Sequence, residues 1–156
     1  MKILCAIGLR GGTGVVQRIA EINGVQAELI LLHVIDIRPH HDLDEILRTS
    51  AWRRPQPSID EDDLLSAEQA AGRAALEEAQ NIAKTAGFQS EISKIARGKP
   101  EQIIVEIAGE QNVDLIVIRA REGGEGHPHF GPASVGHTAR FVLDHAPCDV
   151  LLLREL

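Results

Sequence analysis

Aromatic residues are nearly missing from this chain: Trp52, Phe88, Phe130 and Phe141 are the whole set among 156 residues, and there is no Tyr. Base-stacking platforms of the kind that hold single-stranded nucleic acid therefore have almost no material. Basic charge is also short, with 16 Lys and Arg against 23 Asp and Glu for a net −7. Duplex binding rests on Lys and Arg contacts to phosphate, so no nucleic-acid partner is expected. No apolar run approaches the ~20 residues that span a bilayer, which removes membrane insertion. Cysteine is limited to Cys5, inside an apolar run, and Cys148, just before one. That is the usage of small buried hydrophobes, not of a disulfide framework, and neither residue has the neighbours of an activated thiol. The opening MKILCAIG turns to glycine too soon for a signal peptide, so the expected compartment is the cytoplasm. Paired carboxylates, a Ser-His-Asp order and a Gly-x-Ser-x-Gly elbow are all missing, and substantial turnover is not expected. His40-His41 and His127/His129 form no closed four-ligand spacing, so no metal site is expected.

What is present is a regular alternation. Apolar blocks at Ile3–Ile7, Glu28–Ile35, Gln89–Ala96, Asp114–Ile118 and Val150–Leu153 read as strands, separated by helical patterns over Gly12–Ile22, Asp62–Ala86, Pro100–Gln111 and Val135–Ala146. Three of the strands are continuous Val/Ile/Leu blocks, as in a parallel sheet covered on both faces, whereas the third alternates in part and belongs at an edge. Pro100 followed by Glu101 suits a helix start, with Ile103, Ile104, Ile107 and Ala108 on one face. In the longest helix Leu64, Ala67, Ala71, Ala75, Ala79, Ile82 and Ala86 recur as an expected inner face, and Gly87 stops it. The expectation is one α/β domain over residues 1–156, a doubly wound five-stranded parallel sheet with helices on both faces. Residues 36–63 stand apart as an acidic, proline-containing excursion, with eight acids, four arginines and Trp52. It reads as a solvated connection or as a lid or partner-binding loop.

Glycine is concentrated where such a fold binds ligands, beyond the carboxyl ends of the strands. GLRGGTG follows the first strand (Gly8, Gly11, Gly12, Gly14), and REGGEGHPHFGPASVGHT follows the fourth (Gly123, Gly124, Gly126, Gly131, Gly136). Each loop precedes a helix whose amino end favours an anion, and phosphate is the natural guest. Arg10, Arg119, Arg121 and Arg140 flank these loops and make the region locally cationic. The first loop has neither the Lys-Ser/Thr of a Walker A sequence nor the spacing of a dinucleotide fingerprint.

Gly123-x2-Gly126-x9-Gly136, followed by HAPCDVLLL, resembles the C-terminal third of the universal stress protein family. LLHVID (Leu31–Asp36) and GKPEQIIVEIAGEQNVDLIVI (Gly98–Ile118) extend the resemblance over nearly the whole chain. The resemblance implies strand order 3-2-1-4-5 and an ATP or AMP site, with magnesium accompanying ATP, drawn from Ile7, Gly8, Leu9, Arg10, Val34, Arg119, Arg121, Gly123, Gly126, Gly136, His137 and Thr138. It also implies a homodimer through the C-terminal strand. This sequence departs from the nucleotide-binding pattern in three ways: Gly8 stands where the family carries an Asp, His137 replaces the Ser or Thr after the last loop glycine, and the loop is about four residues longer if Ile118 ends the strand. A nucleotide-binding regulator, a member acting through contacts with a protein partner, and a slow ATPase thus remain as alternatives.

Overall fold

The computed structural model describes residues 1–9, 12–38, 61–88, 90–120 and 134–154. Strands and helices alternate along them: β1 (Lys2–Ala6), α1 (Gly12–Asn23), β2 (Glu28–Asp36), α2 (Glu61–Ala86), β3 (Ser90–Gly98), α3 (Pro100–Glu110), β4 (Leu115–Arg119), α4 (His137–His145) and β5 (Asp149–Leu153). The five strands form one sheet of order β3-β2-β1-β4-β5, and every neighbouring pair is parallel. The chain winds outward from β1 through β2 to β3, crosses back, and continues through β4 to β5. The direction of winding therefore reverses between β1 and β4.

Alternation of side chains across the sheet divides the core into two layers. On one face Ile3, Cys5, Leu29 and Leu31 meet Val15, Val16 and Ile19 of α1 and Leu76, Ala79 and Ala83 of α2. On the other, Leu4, Ile30, Leu32, Ile116 and Ile118 meet Ile104 and Ala108 of α3 and Ala139 and Val142 of α4. Burial on both faces is why these strands read as unbroken apolar blocks. Each such Leu or Ile contributes about 1.5–3 kcal/mol by leaving water. Among the described residues β3 pairs only with β2, at the edge where its partial alternation places it. Exposed Ile92 and Ile95 are consistent with that position.

Several boundaries shift for local reasons. β1 ends at Ala6, one residue before the expected end, because the bond from the Ile7 amide to the Leu32 carbonyl is the last rung of its ladder with β2. β3 runs on to Gly98, since β2 offers a partner as far as Asp36. α4 starts at His137, later than expected, because Gly136 takes φ +85° and ψ 157° as its N-cap, a conformation essentially restricted to glycine. The inner face of α2 is corrected in its first half: Leu64, Ala67 and Ala71 are exposed and the buried stripe begins at Gly72 and Leu76, whereas Ala75, Ala79, Ile82 and Ala86 lie in or against the core as expected. Alanine recurs so often in α2 that it leaves the facing stripe unspecified. Gly72 settles it, because only a residue without Cβ fits beneath the ring of His33. Of the acidic excursion, Asp36 belongs to β2 and residues 61–63 to α2, while 39–60 lie outside the described residues. No helix among the described residues is long and apolar enough to cross a membrane.

Candidate functional site

A cavity of about 520 Å³ opens beyond the carboxyl ends of β1, β2 and β4, at the reversal point of the sheet. Its origin is a difference in strand length. Ala6, the last residue of β1, pairs with Leu32, yet β2 continues four residues further to Asp36. β2 therefore overhangs the end of β1, and the chain leaving β1 through Ile7, Gly8 and Leu9 forms one wall of the resulting cleft. Ile118, Arg119 and Ala120 close the β4 side, Pro100 and Ile104 of α3 and Thr138 of α4 line one helical layer, and Glu68 of α2 the other. Gly12 allows α1 to begin against this wall, since a Cβ there would lie 2.7 Å from Ile7 Cγ2.

His33 on β2 is buried, at 6% exposure, and also lines the cavity. Its Nδ1 lies 2.8 Å from the Ile7 carbonyl oxygen. A carbonyl only accepts, so the ring carries its proton on Nδ1 and donates.

A chain of charged groups runs along the rim. The guanidinium of Arg38 grips the Asp36 carboxylate, with Nη2–Oδ2 at 2.6 Å and Nε–Oδ1 at 2.9 Å, and the Arg38 amide donates to the same Oδ1 at 3.0 Å. Arg38 Nη1 also donates to Glu101 Oε1 at 3.2 Å, and His137 Nε2 stands 3.4 Å from that same oxygen. Glu101 is 5% exposed in the first turn of α3, where the positive end of the helix favours a carboxylate. Its Oε2 has no hydrogen-bond partner among the described residues.

The structure brings six of the expected site residues together on the cavity: Ile7, Gly8, Leu9, Val34, Arg119 and Thr138. Gly136 caps α4 next to Thr138 without lining the cavity, and His137 is turned to Glu101 at the rim. The hydroxyl displaced by one position, that of Thr138, is thus the one at the cleft. Arg10, Arg121, Gly123 and Gly126 lie outside the described residues. Arg119 is the sole arginine among the described lining residues, alongside the acids Asp36 and Glu68, and Arg140 is drawn instead to Asp144 at 3.5 Å. The local cationic character expected of the loops is not reproduced in this part of the wall. His33, Asp36, Glu68, Pro100 and Ile104 were not marked as site residues by sequence reasoning. His33 and Asp36 sit in the same LLHVID run as Val34, so the run itself was the available signal.

The profile of the Universal stress protein family matches residues 1–154. Universal stress protein E of Photorhabdus laumondii subsp. laumondii is 29% identical over 75 residues, which is 48% of this chain and 23% of that protein. The match thus spans less than a quarter of this curated relative. Universal stress protein UspA from Lactobacillus plantarum superposes with a TM-score of 0.73 at 27% identity, covering 99% of this chain and 97% of that one. A universal stress protein family protein from Arabidopsis thaliana with AMP bound gives a TM-score of 0.67 at 18% identity, covering 100% and 92%. The same fold has been solved in complex with cAMP and, from Archaeoglobus fulgidus, with dAMP.

Proposed function

The chain belongs to the universal stress protein family, and from that premise we propose that it is a regulatory domain binding an adenine nucleotide, ATP or AMP, in the cleft beyond β1, β2 and β4 without substantial turnover. The observation that carries this reading is the overhang of β2. Past the last pair with β1, the backbone at Val34 borders a cavity otherwise walled mainly by Ile7, Leu9, Ile104 and Ile118. Apolar walls with a few convergent polar groups suit a flat base, and the volume falls within the ~300–1,000 Å³ usual for small-ligand sites. At the other end Thr138 offers a hydroxyl and Arg119 a cation, beside the amino end of α4. Binding of AMP, cAMP or dAMP by proteins of this fold supports the class of ligand. Magnesium would accompany the phosphates of ATP.

Calorimetric titration with AMP, with ATP and with ATP plus magnesium tests the reading, and no heat at millimolar nucleotide would end it. That negative result would favour the second reading, a member acting through contacts with a protein partner. The observation behind it is Gly8, which brings no side chain to the cavity where the family carries an Asp, while Asp36 and Glu68 add negative charge to the wall. Slow ATP hydrolysis is the third reading, checked by magnesium-dependent release of phosphate. We also place the protein in the cytoplasm as a homodimer through β5. This edge strand pairs only with β4 among the described residues and leaves Val150, Leu151, Leu152 and Leu153 half-buried. A monomer in sedimentation at tens of micromolar would remove the dimer.

A further inference from the structure

The β1–β2 ladder has a phase that can be read from its ends. The Glu28 amide donates to the Met1 carbonyl at 3.0 Å, and the Ile7 amide donates to the Leu32 carbonyl at 2.8 Å. Even-numbered residues of β2 therefore turn their backbone groups toward β1, and the next rung in a parallel ladder would run from the Val34 amide to the Ile7 carbonyl. That rung is not made. The Ile7 carbonyl instead accepts a hydrogen bond from His33 Nδ1, on a side chain one residue away on β2, at 2.8 Å. The substitution is built in from the opposite side as well. His33 lies against α2 at Gly72, where an added Cβ would stand 2.5 Å from the ring's Cδ2 and 3.0 Å from Nε2. A ring held between Gly72 and Ile7 has no room to move aside, and both His33 and Val34 line the cavity.

We propose that His33 is a positioning residue for the ligand of this cleft: by holding the Ile7 carbonyl toward its ring, out of line with the β1–β2 ladder, it ends that ladder one rung early and keeps the Val34 amide turned, undonated, into the cavity. The proposal rests on the nucleotide reading only for the identity of the ligand. Its geometric content concerns the ligand-free protein.

Amide hydrogen exchange, followed residue by residue by NMR in the ligand-free protein, tests that content, with AMP titrated in parallel. In His33→Leu the ring donor is lost, the Val34 amide can complete the rung, and its exchange slows at least tenfold while AMP binding weakens about tenfold. A purely structural role predicts the opposite at this amide, because a destabilised protein exchanges faster everywhere. His33→Asn, whose side-chain amide can place a donor close to the position of Nδ1, restores both the Val34 exchange rate and the AMP affinity to within about threefold of the wild-type values. If His33→Leu does not fold, Gly72→Ala crowds the ring from the helix side with both strands intact, and slowed exchange at Val34 is again the expected result. Unchanged or faster exchange at Val34 in the folded variant overturns the proposal. Slowed exchange in a protein whose wild type binds no AMP leaves the assignment of His33 standing and overturns the nucleotide reading instead.

Discussion

Replacing Gly72 by alanine should destabilise the protein, against the usual effect of that change in a helix. Gly72 lies within the 26-residue α2, where alanine is favoured over glycine by about 1 kcal/mol. The added Cβ, however, would meet His33 Cδ2 at 2.5 Å, Nε2 at 3.0 Å and Cγ at 3.4 Å. The ring is buried and tied to the Ile7 carbonyl at 2.8 Å, so the overlap is relieved by driving the ring off that bond. Overpacking of this kind costs about 1–3 kcal/mol, and breaking the bond costs about 1 kcal/mol more. The net loss is about 1–3 kcal/mol after the helix gain, a fall in Tm of about 2–12 °C for a domain of this size. Gly109→Ala is the matched control, since Gly109 also lies in a helix, α3, but an added Cβ there meets nothing within 4 Å. It should gain roughly 0.5–1 kcal/mol. Thermal and urea melts of the two variants should therefore move in opposite directions. A Gly72→Ala protein as stable as Gly109→Ala would mean that the His33 ring is not seated on α2, and the argument from that seat would fall with it.

Other substitutions probe separate parts of the site. Gly136→Val forces a β-branched residue to φ +85° and ψ 157°, which should cost about 1–3 kcal/mol in unfolding experiments and weaken AMP binding more than it lowers stability. Glu101→Gln removes the charge shared by Arg38 and His137, but those two side chains are 37% and 66% exposed and can return to water. The expected loss in urea melts is therefore about 1 kcal/mol, and a loss above about 3 kcal/mol would show the pair to be buried in solution. Burial pushes the Cys5 thiol up to about 12 from its ordinary 9.0, so a thiol reagent at pH 8 should reach Cys5 only after denaturant is added. The same shift keeps Cys5 protonated in the folded chain while the unfolded chain ionises. Its effect on stability is nil below about pH 8 and is a loss of up to about 1.4 kcal/mol per unit between 9 and 12, visible as a falling urea midpoint that Cys5→Ala abolishes.

The sheet was legible because its chemistry is one-dimensional. A strand buried on both faces must be apolar at every position, and Ile3–Cys5, Leu29–Leu32 and Ile116–Ile118 meet that demand wherever the rest of the chain goes. The cleft was legible for a related reason: a doubly wound sheet puts its ligand site at the strand ends, and glycines mark two of those ends. What escaped depends on pairings between distant residues. Alanines throughout α2 satisfy several inner faces equally well, and the choice among them is made by one contact, Gly72 with His33. Glu101 reads as an ordinary first-turn acid, and nothing near it in sequence announces that Arg38 and His137, 63 positions before and 36 after, converge on one of its oxygens. Glu68 likewise lines the cavity only because α2 lies over the end of β2.

These pairings bear on how much weight the two missing recognition side chains carry. Gly8 and His137 replace an acid and a hydroxyl, and a site built from those side chains alone would be dismantled by their loss. The cleft here does not originate in them. It comes from β2 outlasting β1 by four residues, a property of the ladder register, and from the His33 donor that stops the ladder short. Backbone groups exposed in this way survive substitution at positions 8 and 137, because neither side chain supports the overhang. His137, moreover, has a partner in the rim chain that joins Asp36 at the end of β2 to the first turn of α4 through Arg38 and Glu101. The replacement that removes a hydroxyl from one position thereby adds a link between the two ends of the cleft, while Thr138 keeps a hydroxyl at its wall. Recognition in this chain should therefore lean on main-chain groups at the β2 end, and side-chain substitutions there should cost less affinity than any change that lets the Val34 amide rejoin β1.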